Sequence, residues 1–69
     1  MKHFDITLVR DANMAKIVIA FNNKLIERNT EFKKRLTTLE AKSYVDDVND
    51  RLTAENVLLK MKFYSCFLA

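Results

Sequence analysis

The chain has 69 residues, of which 49% are hydrophobic and 30% charged, with a formal net charge of +3. This length allows one small domain, residues 1–69, and the apolar fraction excludes an intrinsically disordered chain. The absence of glycine excludes the phosphate-binding loops GxxxxGK[ST] and GxGxxG, and the single Cys66 excludes an internal disulfide.

The N-terminal residues show the alternation of a strand. Phe4, Ile6 and Leu8 are separated by polar residues, a period of two that predicts a short extended segment over residues 3–9. Asp11 follows as a good N-cap for a helix, because its carboxylate can accept hydrogen bonds from the first free backbone N–H groups.

From Ala12 the apolar residues recur every three or four positions. This spacing predicts a long amphipathic central helix within residues 12–42, either continuous or divided at Asn29-Thr30 with Thr30 as a second N-cap. The residues that define this apolar stripe are Met14, Val18, Phe21, Leu25, Phe32, Leu36 and Leu39. The predicted fold is therefore mainly α, with two or three helices.

An α+β fold is the alternative. Three consecutive β-branched residues, 17–19, would suit a strand over residues 15–21 that pairs with residues 3–9. The C-terminal stretch VLLKMKFYSCFLA is similarly ambiguous, because its two lysines alternate as in a strand. Residues 59–67 could therefore also pair with residues 3–9. We favour helix for 15–21, since the stripe continues beyond it without a change of phase.

A further helix is predicted to begin at Ser43. The serine can serve as N-cap. The negative charges of Asp46 and Asp47 in the first turn would interact favourably with the positive end of the helix dipole. We expect this helix to continue to about Met61.

Without glycine, the left-handed turn positions would go to asparagine. The candidates are Asn22, Asn23, Asn29, Asn49 and Asn56.

Charge divides the middle of the chain in two. Residues 22–42 carry six basic against three acidic side chains, whereas residues 43–56 carry one basic against four acidic side chains. This segregation predicts that the basic segment faces the acidic one, within a chain or between chains.

Nothing in the sequence points to catalysis. The one pair with nucleophilic potential, His3 and Cys66, is better explained as a solvated terminal histidine and a buried structural thiol. We predict no catalytic, cofactor-binding or metal-binding residues, and one histidine with one cysteine is too few for a typical zinc site. A single free thiol fits a reducing compartment, so the expected location is the cytoplasm.

Association with protein is the predicted mode of action. A chain of this size without disulfide or metal usually gains stability by oligomerising or by docking on a partner. We predict a small non-enzymatic, regulatory or inhibitor-type protein that forms homo-oligomers and binds a protein target. The interface would consist of the apolar stripe and three aromatic residues of the C-terminal tail, Phe63, Tyr64 and Phe67. Its size and its glycine- and proline-free composition resemble those of small accessory proteins of bacterial viruses.

Nucleic acid is the alternative partner. The basic side chains that could contact phosphates are Lys24, Arg28, Lys33, Lys34, Arg35 and Lys42. Membrane spanning is not expected, because the apolar C-terminal stretch, residues 57–69, is shorter than the ~20 residues that a spanning helix needs.

Overall fold

The computed structural model describes residues 8–64, which form two helices of 24 residues each. They are α1, Ala12–Arg35, and α2, Leu39–Lys62. The mainly α prediction is confirmed, and residues 8–64 contain no strand. The strand alternative is wrong for residues 15–21, which lie in α1, and for residues 59–62, which lie in α2. The remaining parts of the predicted strands, residues 3–7 and 65–67, lie outside the described residues.

Helix α1 begins at the predicted cap and continues through the predicted break. The Asp11 carboxylate accepts a hydrogen bond from the Met14 N–H at 2.8 Å, which confirms this N-cap. Thr30 lies inside the helix, where its hydroxyl donates to the Ile26 carbonyl at 2.8 Å. A threonine that bonds back to the preceding turn need not end a helix. The alternative of a division at Asn29-Thr30 is therefore wrong. A continuous helix to residue 42 is also wrong, because α1 ends at Arg35 and residues 39–42 belong to α2.

The N-cap of helix α2 lies five residues before the predicted one, at Thr38 and not at Ser43. Leu36 leaves the helical conformation with φ −79° and ψ 143°, and the Thr38 hydroxyl then accepts a hydrogen bond from the Ala41 N–H at 3.2 Å. Ser43 is an interior helical residue, so its prediction as the cap is wrong. Both Leu36 and Thr38, which bound the connection, have extended backbone, and no residue of 8–64 has a positive φ. The asparagines are therefore not left-handed turn residues.

The two helices pack antiparallel along rows that repeat every seven residues. Helix α1 contributes Ala15, Ile19, Asn22, Ile26, Asn29, Lys33 and Leu36, and α2 contributes Lys42, Val45, Asn49, Leu52, Asn56, Leu59 and Phe63. Within each row the steps alternate between three and four residues, as in the contact of a coiled coil. All of these residues are buried or half-buried. We call this contact the seam.

The apolar core lies at the end of the hairpin away from the connection. Val9, Ala15, Ile19 and Leu59 are buried together there. The Lys62 ammonium donates a hydrogen bond to the Val9 carbonyl at 3.2 Å and lies 5.5 Å from the centre of the Phe63 ring. The residues before α1 are thus tied to the last turn of α2, which closes this end of the seam.

The hairpin is one helix thick. Its principal extents are 43 × 22 × 14 Å, and the shortest is close to the ~10–12 Å diameter of a single helix. Its radius of gyration is 13.7 Å, against about 11 Å for a compact chain of this length. Stable domains usually place a second layer over the first. Here the described residues supply only one.

The core assignment predicts unequal costs for two identical substitutions. Leu59 is 0% exposed in the seam, whereas Leu39 is 85% exposed at the first turn of α2. Leu59→Ala should lower the free energy of unfolding by about 2–5 kcal/mol, because it leaves a cavity. Leu39→Ala should change it by less than about 0.5 kcal/mol. Urea unfolding followed by circular dichroism at 222 nm measures both, and equal losses would contradict the seam.

Candidate interaction surface

Two asparagines meet at the middle of the seam. The side-chain amide of Asn22 donates to the Asn56 carbonyl oxygen at 2.9 Å, and both residues are buried, at 3% and 6% exposure. The Asn56 amide donates to the Asn23 oxygen at 3.1 Å, and the Asn22 amide also approaches a Glu55 carboxylate oxygen at 3.3 Å. Each buried amide is therefore satisfied by a partner on the opposite helix.

A second asparagine pair lies seven residues away on each helix. The Asn29 amide donates to the Asn49 oxygen at 3.0 Å. Seven residues forward along α1 thus correspond to seven residues backward along α2, so both pairs share one register. The same register places Ile26 opposite Leu52. Any other register would leave buried amides without partners, at a cost of about 1–3 kcal/mol for each group. Polar residues in an apolar seam select register in this way.

An ion pair joins the basic segment to the acidic one. The Lys33 ammonium lies 2.6 Å from the Asp46 carboxylate, across the seam from α1 to α2. Both side chains are partly exposed, so the pair contributes only about 0–1 kcal/mol. The predicted contact between the two segments is therefore present within the chain, although it adds little stability.

The two sides of the seam differ in polarity. On one side the flanking rows are Val18, Leu25 and Phe32 from α1 with Ala41, Val48 and Glu55 from α2, all half-buried except Phe32. On the other side they are Lys16, Asn23 and Thr30 with Asp46, Thr53 and Lys60, all exposed. The cross-helix bonds follow this division, since Asn22 bonds to Glu55 on the first side and Lys33 to Asp46 on the second.

The less polar flanking row of each helix, together with the next row outward from the seam, forms a surface that we call the apolar face. Its apolar members are Met14, Val18, Phe21, Leu25 and Phe32 on α1, and Ala41, Tyr44, Val48 and Leu58 on α2. Its charged members are Arg28, Arg35, Arg51, Glu55 and Lys62. A shallow depression beside Phe32 is lined by Glu27, Arg28, Glu31 and Arg35.

Most of the apolar stripe read from the sequence lies outside the seam, although Val18 and Leu25 are half-buried beside it. Phe21 is 63% and Phe32 is 55% exposed, Met14 and Leu39 are also exposed, and only Leu36 belongs to the seam. Helix α1 carries two adjacent seven-residue patterns, and the more apolar one faces outward. The stripe therefore makes a surface, and the less apolar pattern, which includes two asparagines and Lys33, makes the contact between the helices.

The C-terminal part of α2 exposes a second group of apolar side chains. Val57, Met61 and Tyr64 lie on the outer side of α2, away from the seam, and all three are exposed. We call these three residues the outer patch. Of the predicted aromatic tail, Phe63 packs against the core, Tyr64 belongs to this patch, and Phe67 lies outside the described residues.

The basic side chains do not converge on one surface. Lys33 and Lys42 lie in the seam, and Lys34 pairs with Glu31 at 3.0 Å. Arg28 and Arg35 lie on the apolar face instead. The cluster Lys33-Lys34-Arg35 also occupies the last turn of α1, where cations stabilise the negative end of the helix dipole. Stabilisation of the helix end therefore explains these three basic residues without any ligand.

No family model, curated protein or solved structure matches this chain. In the described part of the chain, neither helix is long and apolar enough to cross a membrane. Residues 8–64 also hold no group of three or more potential metal-ligating side chains. The surface itself is therefore the evidence on function.

The sequence predictions place these asparagines at turn positions and do not include the asparagine pairs. The available signal was their spacing: Asn22 and Asn29 are seven residues apart, and so are Asn49 and Asn56. A seven-residue spacing in two successive helices is typical of positions that share one contact.

The amide network predicts non-additive effects on stability. Asn56→Ala should cost about 1–3 kcal/mol, because the buried amide of Asn22 loses its Asn56 partner. Replacing both Asn22 and Asn56 by leucine should recover that loss, since neither buried amide then remains. Asn13→Ala, on the exposed first turn of α1, is the control. Urea unfolding measures all three variants. A double variant less stable than Asn56→Ala would contradict the network.

Proposed function

We propose that this chain is a small non-enzymatic regulatory protein, of the inhibitor type, which oligomerises and acts by occupying a surface on a protein partner. The observation that carries the proposal is the outward placement of the apolar stripe in a hairpin one helix thick. Contiguous exposed apolar surface of this kind marks sites of interaction. The apolar face and the outer patch are the two surfaces that would take part.

The composition of the apolar face supports a protein partner. Exposed phenylalanine, tyrosine, methionine and arginine are enriched in protein interfaces, whereas lysine and glutamate are depleted there. Phe21, Phe32 and Tyr44 would supply large apolar contacts, and Arg28 and Arg35 would lie at the edge. The face is broad and flat, as suits a second macromolecule better than a small ligand.

Nucleic acid remains the second candidate because of one observation. Lys24, Arg28 and Arg35 lie along one side of α1, at steps of four and seven residues, and none of the ion pairs within residues 8–64 involves them. Three phosphate contacts would support weak, salt-dependent binding. The exposed ring of Phe32, which lies between Arg28 and Arg35, favours the protein partner.

The outer patch gives a test for the protein partner. With the immobilised chain as bait in extract of its native cells, Met61→Asp should remove the captured protein, because a charge would have to be buried in the interface. Lys60→Gln, on the next residue of α2 and with the same change in net charge, should leave capture intact. Identification is by mass spectrometry. Equal recovery with both variants would contradict a role for the patch.

A mobility-shift assay separates the two candidates. If nucleic acid were the partner, the chain would retard DNA or RNA at low salt, and Arg28→Ala with Arg35→Ala would weaken that binding at every sequence. We expect no retardation at micromolar protein. Retardation that falls steeply with ionic strength and with these two substitutions would replace the protein proposal by the nucleic-acid one.

A further inference from the structure

The apolar face has a pattern that fits a copy of itself. We propose that a second copy of this chain covers the face, related by a two-fold axis perpendicular to the helices, so that two hairpins form an antiparallel four-helix bundle. The inference rests on the proposed function in treating the apolar face as an interaction surface. It goes further in naming the occupant and the register.

The face is large enough for a stable dimer. A standard protein interface buries roughly 800 Å² on each partner. The two longer extents of the hairpin, 43 and 22 Å, enclose a face of that order of area. Helix α1 also presents the stripe in alternating steps of three and four residues, the spacing with which one helix packs along another. A second layer would complete the two-layer arrangement that the single hairpin lacks.

On α2 the residues of the apolar face form complementary pairs at equal distances above and below the level of Thr53 along the helix axis. Arg51 and Glu55 lie two residues before and after that level, and Val48 and Leu58 lie five residues before and after it. A two-fold axis at this level brings Arg51 against Glu55 of the second copy, and Val48 against its Leu58. The contact between Arg51 and Glu55 therefore forms twice in the dimer, once on each side of the axis, as in an isologous interface.

The same axis also suits α1. The observed pairing of Asn22 with Asn56 and of Asn29 with Asn49 places Leu25 level with Thr53. Leu25 would then meet its own equivalent on the axis. Val18 and Phe32, seven residues before and after Leu25, would meet one another, the small side chain against the large one.

The outer charges of the face agree with this register. Tyr44 and Lys62 lie nine residues before and after Thr53 on α2, and Phe21 and Arg28 lie four before and three after Leu25 on α1. In the dimer, the Phe21 ring would approach Arg28 of the second copy, a favourable contact. Lys62 already donates to the Val9 carbonyl and lies beside the Phe63 ring of its own chain, so it adds no such contact. The face positions of both helices are thus compatible with one axis, and the unlike charges of Arg51 and Glu55 favour a second copy of the chain over an unrelated partner.

Opposite charge changes on separate chains test the register. Arg51→Glu puts two acidic residues on the face and Glu55→Arg puts two basic ones there. Sedimentation equilibrium in reducing buffer should give the unchanged chain twice its 8.1 kDa mass at micromolar concentration. Each variant alone should dimerise at least about tenfold more weakly, because like charges meet across the axis.

An equimolar mixture of the two variants is the decisive sample. Positions 51 and 55 both carry carboxylates in the Arg51→Glu chain and both carry guanidinium groups in the Glu55→Arg chain. Unlike charges would therefore meet across the axis of a mixed dimer, and the mixture should dimerise as strongly as the unchanged chain.

Circular dichroism checks that each variant is helical. If Glu55→Arg fails to fold, an intermolecular methyl NOE between Val48 and Leu58 in a mixed-labelled unchanged sample decides instead. A monomeric unchanged chain, variants that dimerise normally, a mixture no stronger than its components, or an absent NOE would each overturn the proposal.

The proposed function has a separate readout. Arg51→Glu changes the proposed dimer contact and leaves the outer patch intact. Capture of a protein partner by this variant therefore tests the outer patch independently of the dimer. A monomeric unchanged chain that still captures a protein through Met61 would overturn this inference and leave the proposed function standing.

Discussion

The hydrogen bond between Asn22 and Asn56 is the constraint on which the rest of the structure depends. It fixes which residues of α1 face α2, because a shift of register would leave both buried amides without partners. The Asn29–Asn49 pair, seven residues further along α1, requires the same register. Once these four residues are in the seam, the more apolar row of α1 has no place there and faces outward. The polar seam thereby creates the exposed surface.

This arrangement exchanges stability of the single chain for a defined surface. Among residues 8–64, the buried apolar cluster contains only Val9, Ala15, Ile19 and Leu59, with Val45 buried further along the seam. A core of that size is marginal for a chain of 69 residues. Partner binding adds stability by mass action, and in small obligate dimers folding and association become one process. The same single layer that limits the core leaves a face of 43 by 22 Å for a partner.

Much of the fold follows from local signals, whereas the orientation of its helices does not. The Asp11 cap and the continuation of the last helix to about Met61 were predictable, because capping and periodicity depend on neighbouring residues. The choice between Thr38 and Ser43 as the second cap was not, since both have suitable hydroxyls and acidic residues follow each. The apolar stripe follows from the sequence, but its outward direction depends on asparagine pairs 20 and 34 residues apart. The seven-residue spacing of the asparagines indicates a shared contact and does not say that this contact displaces the more apolar row.

The central claim is that the asparagine seam, and not the apolar stripe, joins the two helices of one chain. NMR of a sample that mixes isotope-labelled with unlabelled chains tests it most directly, because intrachain and interchain NOEs are then separated. The account predicts intrachain NOEs between the side-chain amides of Asn22 and Asn56, with slow hydrogen exchange at both. It also predicts no intrachain NOE from the ring of Phe32 to the seam residues Asn49 and Leu52. Rapidly exchanging asparagine amides together with such Phe32 contacts would contradict it.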